Sequence, residues 1–490
     1  MFLERNHIAF QNPTEPDKKK SQLGQFMTSA KVARFMASQF QQTPLDECRL
    51  LDPGFGAGSL SIAFLERWIS GKIDFQSIEL TACEIDPQFH ENIPAILQPF
   101  SSRPNFKSKI QIGDFIERAV NWLLISPKTK FTHAIINPPY KKVNSNSKHR
   151  HLLRAVGIET VNLYSAFVAL SLALLTPGGQ LVAIIPRSFC NGPYFRPFRK
   201  YILQKSAIHH IHLFSARDKT FKADSVLQEN VIIHLERDVK QGDVTITTST
   251  DDSFTDLKTV IHPFSRIVSS DDTESFFHIP TSDKPNTIDR YQFARYSLEE
   301  IGITVSTGPV IDFRLKEHLQ DMPDPDSVPL IYPVHLNGHG PEWPKPGIKK
   351  PNAIRHNKET EKWLYPNGFY CAVRRFSSKE EKRRITARVI DPKAFNEAKL
   401  LGFENHLNIF HNQKRDIPEM LARGLSVFLN STAVDEYFRC FNGHTQVNAT
   451  DLRLMKYPSR SDLINLGKWS KSKDELTQAI IDEKLEELIS

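Results

Sequence analysis

The residues best suited to chemistry in this 490-residue chain are Asn137-Pro138-Pro139-Tyr140, which close the apolar run Thr132-His133-Ala134-Ile135-Ile136. Each proline fixes φ near about −65° and removes a backbone donor, so the Asn137 side chain and the adjoining carbonyls can face a ligand as acceptors that need no rearrangement. The group best served is an NH2 conjugated into a ring or an amide. If the Asn137 side-chain oxygen and the Pro138 carbonyl each accept one hydrogen of such an amine, adenine N6 for example, they favour the positive charge that develops as nitrogen attacks an electrophilic methyl. Tyr140, one step on, offers a stacking face.

Such a corner needs a methyl donor beside it, and the upstream sequence predicts where one would sit. Leu50-Leu51-Asp52 reads as a short strand, Pro53-Gly54-Phe55-Gly56-Ala57-Gly58 as a tight turn, and residues 60–68 as a helix. Glycines at 54, 56 and 58 let the backbone approach a ligand closely, and the amides at the helix start favour an electronegative group. The spacing is GxGxG rather than the GxGxxG of dinucleotide sites. Asp52 before the turn repels a phosphate and attracts a cationic substituent, so S-adenosylmethionine is expected over NAD. A second strand, residues 78–83, ends at Glu84-Ile85-Asp86, where an acid in an open α/β sheet clasps ribose hydroxyls. A third, Ile110-Gln111-Ile112-Gly113, ends at Asp114-Phe115, an acid and a ring suited to an adenine amine and its face.

In this order the motifs resemble those of the gamma-class, N6-adenine-specific DNA methyltransferases of type II restriction-modification systems. The resemblance covers the first half of the chain and includes Gly24-Gln25-Phe26-Met27-Thr28 ahead of the glycine turn. It implies that Phe26 and Thr28 contact the methionine part of the cofactor, that Ile85 and Phe115 sandwich its adenine, that Asp114 holds the adenine amine, and that Tyr140 stacks on the target base. In that family a phenylalanine before the final strand closes over the extruded base. Phe221 is the candidate here, with Phe195, Phe198 and Phe214 nearby. The partner implied is double-stranded DNA, with a cognate restriction endonuclease acting on the same site from a separate chain.

The elements that must position these residues form a doubly wound α/β fold: a seven-stranded, Rossmann-like methyltransferase sheet followed by a mixed α+β target-recognition domain. Residues 1–20 read as a loose arm, 21–240 as the catalytic domain, 241–275, rich in Asp, Ser and Thr, as a linker, and 276–490 as the recognition domain. Within the first half, residues 163–175 predict a buried helix, Thr176-Pro177-Gly178-Gly179 a turn and residues 180–186 a strand. Residues 208–214 and 226–235 read as two further β runs, which the resemblance implies form an antiparallel hairpin at the sheet edge. Lys141 and Lys142 open a basic segment reaching Arg150, expected as a mobile loop that folds onto the DNA backbone. In the second body, cations interleave with aromatics and amides: Arg314, Lys316, Arg374-Arg375-Phe376, and the segment holding Gln446, Asn448 and Arg453, which could pair with base edges. The segments Thr307-Gly308-Pro309-Val310 and Asp312-Phe313-Arg314 also look like ones common in this group.

Composition bounds these readings. A net charge of +7 and a pI of about 8.9 permit nucleic-acid binding without arguing for it. Five scattered cysteines, at 48, 83, 190, 371 and 440, with no CxxC pair and no His cluster at ligand spacing, suggest a reduced cytoplasm and no metal. No run approaches the roughly 18 apolar residues of a membrane span, and the N-terminus is polar. Only fragments of a Mg2+ nuclease motif are present, so no fused nuclease is expected, and monomeric action is expected because one strand is modified at a time. Two other readings stay open: a methyltransferase of a protein glutamine or an RNA base, and an inactive DNA-specificity protein with a degenerate catalytic half. A cytosine-N4 acceptor is disfavoured, since enzymes of that kind usually carry Ser where Asn137 stands.

Overall fold

The computed structural model describes residues 28–128, 130–214, 229–270, 272–281, 293–336, 340–378, 380–395, 398–443 and 445–488. Chain contacts divide it into two compact units, Met1–Asp283 and Lys284–Ser490. Expectations for the 1–20 arm, for Phe26 and for Phe221 fall outside the described residues.

The first unit is built on a sheet that has nine strands among the described residues: β1 (Glu47–Asp52), β2 (Ser77–Glu84), β3 (Phe106–Ile112), β4 (Phe131–Ile136), β5 (Leu175–Pro186), β6 (Ser206–Phe214), β7 (Asn230–Arg237), β8 (Val244–Ser249) and β9 (Lys258–His262). Their order is β3-β2-β1-β4-β5-β7-β6-β8-β9. The first five are parallel, and β7 runs antiparallel between β5 and β6. Helix α1 (Ala30–Ser38) precedes β1, and α2 (Ser59–Ile69), α3 (Pro87–His90), α4 (Ile93–Ser101), α5 (Phe115–Leu124), α6 (Lys148–Ala155), α7 (Leu163–Leu174) and α8 (Arg196–Lys205) lie in the connections between strands.

The central strands read as continuous apolar runs because both of their faces are covered. Successive residues point to opposite faces, so Ala134 and Ile136 of β4 join Leu181, Ala183 and Ile185 of β5 under α5, α7 and α8. Ile135, Val182 and Ile184 pack on the other side against α1, α2 and α4. Chain order reverses between β1 and β4, and at such a switch point the loops leaving neighbouring strands diverge and open a crevice.

Three sequence expectations differ from the structure. Residues 241–275 contain β8 and β9, which extend the sheet beyond the seven expected strands. Phe254 stacks on Phe35 of α1 at 4.2 Å, and Asp252 accepts a hydrogen bond from Ser29 Oγ. The Thr-Ile-Thr-Thr pattern of β8 is a β-branched run whose polar composition hid it. The β6–β7 pair is antiparallel as expected, but β6 also pairs with β8 and so is not an edge. Finally, β5 already starts at Leu175, and the anticipated turn is a shift of register against β4, with Gly178 at φ +73°.

The second unit has two sheets among the described residues. One is a four-stranded antiparallel sheet in the order β10-β18-β15-β16 and the other a five-stranded sheet in the order β11-β13-β12-β17-β14. The strands are β10 (Thr304–Thr307), β11 (Leu319–Gln320), β12 (Ser327–Ile331), β13 (Ala353–Arg355), β14 (Leu364–Pro366), β15 (Tyr370–Arg374), β16 (Ala387–Ile390), β17 (Leu400–Phe403) and β18 (Leu407–His411). Among the described residues five helices follow: α9 (Glu419–Leu429), α10 (Thr432–Phe441), α11 (Ala449–Leu454), α12 (Arg460–Lys471) and α13 (Gln478–Glu486). A Cβ built on Gly424 would stand 1.7 Å from the Leu463 carbonyl oxygen, and one on Gly467 1.8 Å from that of Met420. Paired glycines thus let α9 and α12 cross backbone to backbone.

Candidate cofactor and acceptor site

Because β3, β2, β1 and β4 are parallel neighbours, Asp114, Glu84, Asp52 and Asn137 leave the same edge of the sheet in that order. Strands lie about 4.8 Å apart, so the four positions span roughly 14 Å, the length of a nucleoside joined to an amino acid.

Asp52 is fully buried at the end of β1. Its carboxylate accepts from Ser61 Oγ at 2.6 Å and from the Gly54 amide at 3.3 Å, tying the glycine turn to the first turn of α2. Burial pushes its pKa up to about 7 against the pull of the Ser61 bond. Glu84 accepts from the Gly56 amide at 2.6 Å and from the Asp86 amide at 2.7 Å. Burial pushes its pKa up too, against those two backbone bonds. Gly56 (φ +52°) and Gly58 (φ +78°) are left-handed, and a Cβ on Gly58 would meet the Phe55 ring at 2.8 Å and Ile96 at 2.9 Å.

At the far end, Asp114 caps α5 through the Glu117 amide, and its other oxygen lies 2.8 Å from His149 Nε2. Burial pushes the Asp114 carboxyl up, but the His149 and Glu117 bonds outweigh it and hold the group below its usual range. The same bond raises the His149 imidazole. Two apolar residues stand open beside this end, Ile85 at 48% and Ile112 at 56% exposure. Phe115, expected to cover adenine with Ile85, is 3% exposed and packs on Phe167 at 4.9 Å, as the inward-facing first residue of α5. Ile112 is the open apolar surface on that side, and an aliphatic strand-end residue gave no sequence signal.

The acceptor corner follows β4. Asn137 Nδ2 donates to Thr28 Oγ1 at 2.8 Å, across 109 residues of sequence. Tyr140 OH lies 3.4 Å from Asn137 Oδ1 and 3.3 Å from the Ile184 carbonyl, with its ring edge-on to Tyr164 at 6.2 Å. Burial pushes the Tyr140 phenol far up, so it remains a neutral donor. Glycine turn and corner adjoin: a Cβ on Gly54 would be 3.8 Å from the Asn137 carbonyl oxygen.

The basic segment after the corner is tied down rather than loose. Leu163 N donates to the Lys141 carbonyl at 2.8 Å, Lys142 bridges Asn162, and Val143 N reaches the Val161 carbonyl at 2.7 Å. Beyond it, Lys148 pairs with Glu117 at 2.6 Å and His149 with Asp114, fastening α6 over the third strand end. The Lys141 and Lys142 side chains themselves are exposed.

The three expected base readers of the second unit hold that unit together. Asn448 forms a capping box with Asp451 at the start of α11, Gln446 accepts from Arg375 at 3.4 Å, and Arg453 donates to the Val305 carbonyl at 3.1 Å.

A row of strand-end acids beside a left-handed glycine turn, with open aliphatic surface at one end, fits a nucleoside carrying a cationic amino-acid tail. Glu84 would take the ribose hydroxyls, Asp114 the adenine amine, and the Gly54 to Gly58 turn the remainder. Fold and site define an S-adenosylmethionine-dependent methyltransferase.

The relatives narrow this class. The family described as Eco57I restriction-modification methylase matches residues 57–221. The type II methyltransferase M.BsuBI of Bacillus subtilis is 53% identical over 479 residues, covering 96% of this chain and 95% of that one. M.PstI of Providencia stuartii is 43% identical over 462 residues, covering 92% and 90%. The chain belongs to the type II methyltransferases of restriction-modification systems, and it methylates specific DNA sites with S-adenosylmethionine as donor. The fold is also similar to that in a cryo-EM structure of a DrdV-DNA complex, with a TM-score of 0.53 at 14% identity over 95% of this chain and 58% of that one. No helix among the described residues is long and apolar enough to cross a membrane.

Proposed function

We propose that the methyl acceptor is N6 of an adenine turned out of double-stranded DNA. The observation that carries this reading is the contact of the Asn137 corner with the glycine turn, close enough for transfer of one carbon. The bound cofactor supplies an electrophilic methyl on a sulfonium. Everything else is positioning. The Thr28 bond holds the Asn137 amide nitrogen, which leaves Oδ1 as the end that accepts. Oδ1 and the Pro138 carbonyl take the two N6 hydrogens, aim the lone pair and stabilise charge that grows on nitrogen. The excess proton leaves to solvent after transfer, so no base is needed.

Turning the base out costs a few kcal/mol, offset by stacking on Tyr140 and by phosphate contacts of Lys141 and Lys142. The Lys284–Ser490 unit serves as the target-recognition domain. The chain acts as a monomer in the cytoplasm and shields its site from a cognate restriction endonuclease. Sequencing DNA from cells expressing the chain, with a method that separates N6-methyladenine from N4-methylcytosine, tests the assignment. The expected result is N6-methyladenine in a single motif; methylated cytosine, or unmodified DNA, would overturn it.

A further inference from the structure

The Thr307-Gly308-Pro309-Val310 and Asp312-Phe313-Arg314 segments take part in no chemistry described above, yet their placement is tightly specified. A Cβ on Gly308 would stand 2.2 Å from the Glu404 carbonyl oxygen and 2.6 Å from that of Phe403, so only glycine lets the chain pass there. Three backbone bonds then stitch residues 308–310 to the turn between β17 and β18: Gly308 N to Leu407 O at 2.8 Å, Val310 N to Phe403 O at 3.1 Å, and Asn405 N to Val310 O at 2.9 Å.

The same turn anchors the end of β15. Arg375 N donates to the His406 carbonyl at 2.8 Å, and Arg375 Nη1 to that of Asn405 at 3.1 Å. Two loops distant in sequence are therefore fixed to one three-residue turn. Each presents an aromatic ring to solvent, Phe313 at 64% and Phe376 at 39% exposure. The Arg314 guanidinium sits 5.5 Å from the Phe313 ring centre, and that of Arg375 5.7 Å from Phe376, whose ring lies 4.9 Å from His406. Asp312 is held by Lys350 Nζ at 2.7 Å, which immobilises the base of the Phe313 loop.

Large aromatic rings held in water by rigid backbone forgo burial and mark a contact surface. The cations around them favour a polyanion, and the family's polyanion is DNA. Gln446, Asn448 and Arg453 are engaged within the unit, whereas Phe313, Arg314 and Phe376 reach outward.

We propose that Phe313, Arg314 and Phe376, carried on the 404–406 turn, are the surface by which this unit reads its DNA sequence. The proposal rests on the target-recognition reading of the unit and names the residues that perform it. The rings meet base edges or thymine methyls, and Arg314 neutralises a flanking phosphate.

The test uses the full chain with cofactor present, a duplex carrying the motif found by methylation mapping, and a duplex altered at one base pair. Fluorescence anisotropy and methylation rate are read on both, with cofactor affinity by calorimetry and thermal melting as folding controls. Phe313→Ala with Phe376→Ala should reduce the preference for the correct duplex roughly 10- to 100-fold, leaving cofactor affinity and melting as in the parent. Arg314→Ala should weaken both duplexes alike and reduce the salt slope of binding by about one. The inference is overturned if the double aromatic variant keeps the parent's discrimination, or if discrimination falls only together with cofactor affinity and melting. Failure of the parent itself to methylate duplex DNA would instead remove the reading beneath it.

Discussion

Thr28→Val separates two accounts of the acceptor corner. The bond from Asn137 Nδ2 to Thr28 Oγ1, 2.8 Å long, is where the structure fixes which end of the carboxamide is nitrogen. A neutral hydrogen bond contributes about 1 kcal/mol net, so its loss should slow methyl transfer about fivefold. Asn137→Ala removes the accepting oxygen itself, and deletion of one such prearranged polar group costs roughly a hundred- to a thousandfold. If Thr28 acts through Asn137, the double variant is no slower than Asn137→Ala alone, and the cofactor KM of Thr28→Val matches the parent. If Thr28 instead grips the methionine part of the cofactor, the two losses multiply and that KM rises. Single-turnover transfer of a radiolabelled methyl to duplex DNA, with cofactor concentration varied, measures both quantities. Multiplying losses with a raised KM would refute the positioning role.

Two further outcomes follow from groups the fold buries. Asp52 has a folded pKa of about 7, above its unfolded value, so its contribution to cofactor-free stability is fully present below about pH 4 and is lost as pH rises through 7. The shift corresponds to something on the order of 4 kcal/mol. Asp52→Asn should therefore gain stability relative to the parent between pH 5 and pH 8 in urea melts, and a pH-independent difference would show that the group does not titrate there. Gly467→Ala forces a Cβ into the Met420 carbonyl at the α9–α12 crossing, where backbone cannot yield. It should cost on the order of 3 kcal/mol and lower the melting temperature of the whole chain, and a parent-like melt would contradict the close crossing.

What the sequence disclosed was chemistry confined to a few consecutive residues. Asp52, Glu84, Asp114 and Asn137 each follow or close a β-like run, and parallel pairing alone brings their strand ends to one edge. Hidden from view were relations set by distant packing: Thr28 beneath Asn137, His149 on Asp114, and Phe254 on Phe35. The burial of Phe115 was hidden too, because its place on α5, not its place after β3, decides which way it faces. Asn448-Ala449-Thr450-Asp451 did carry a legible local signal, since an Asn followed three residues later by an acid is a helix-start pattern. The Asn448 amide serves the bonds that α11 needs at its own beginning.

Under the functions proposed for them, the two units divide polar and apolar groups in opposite ways, and the division follows from those tasks. Transfer of a methyl tolerates little displacement of the reacting atoms, so the first unit builds its site from groups with little freedom left: consecutive prolines, left-handed glycines, and a Glu84 carboxylate positioned by two backbone amides. Sequence reading asks for the reverse. A surface that meets a groove must present side chains outward from a firm base, and in the second unit the polar residues secure that base while the Phe313 and Phe376 rings keep a face to solvent. Substitutions on those outward rings leave the backbone bonds of the 404–406 turn intact. On that proposal, specificity shifts there without disturbing the geometry on which catalysis depends.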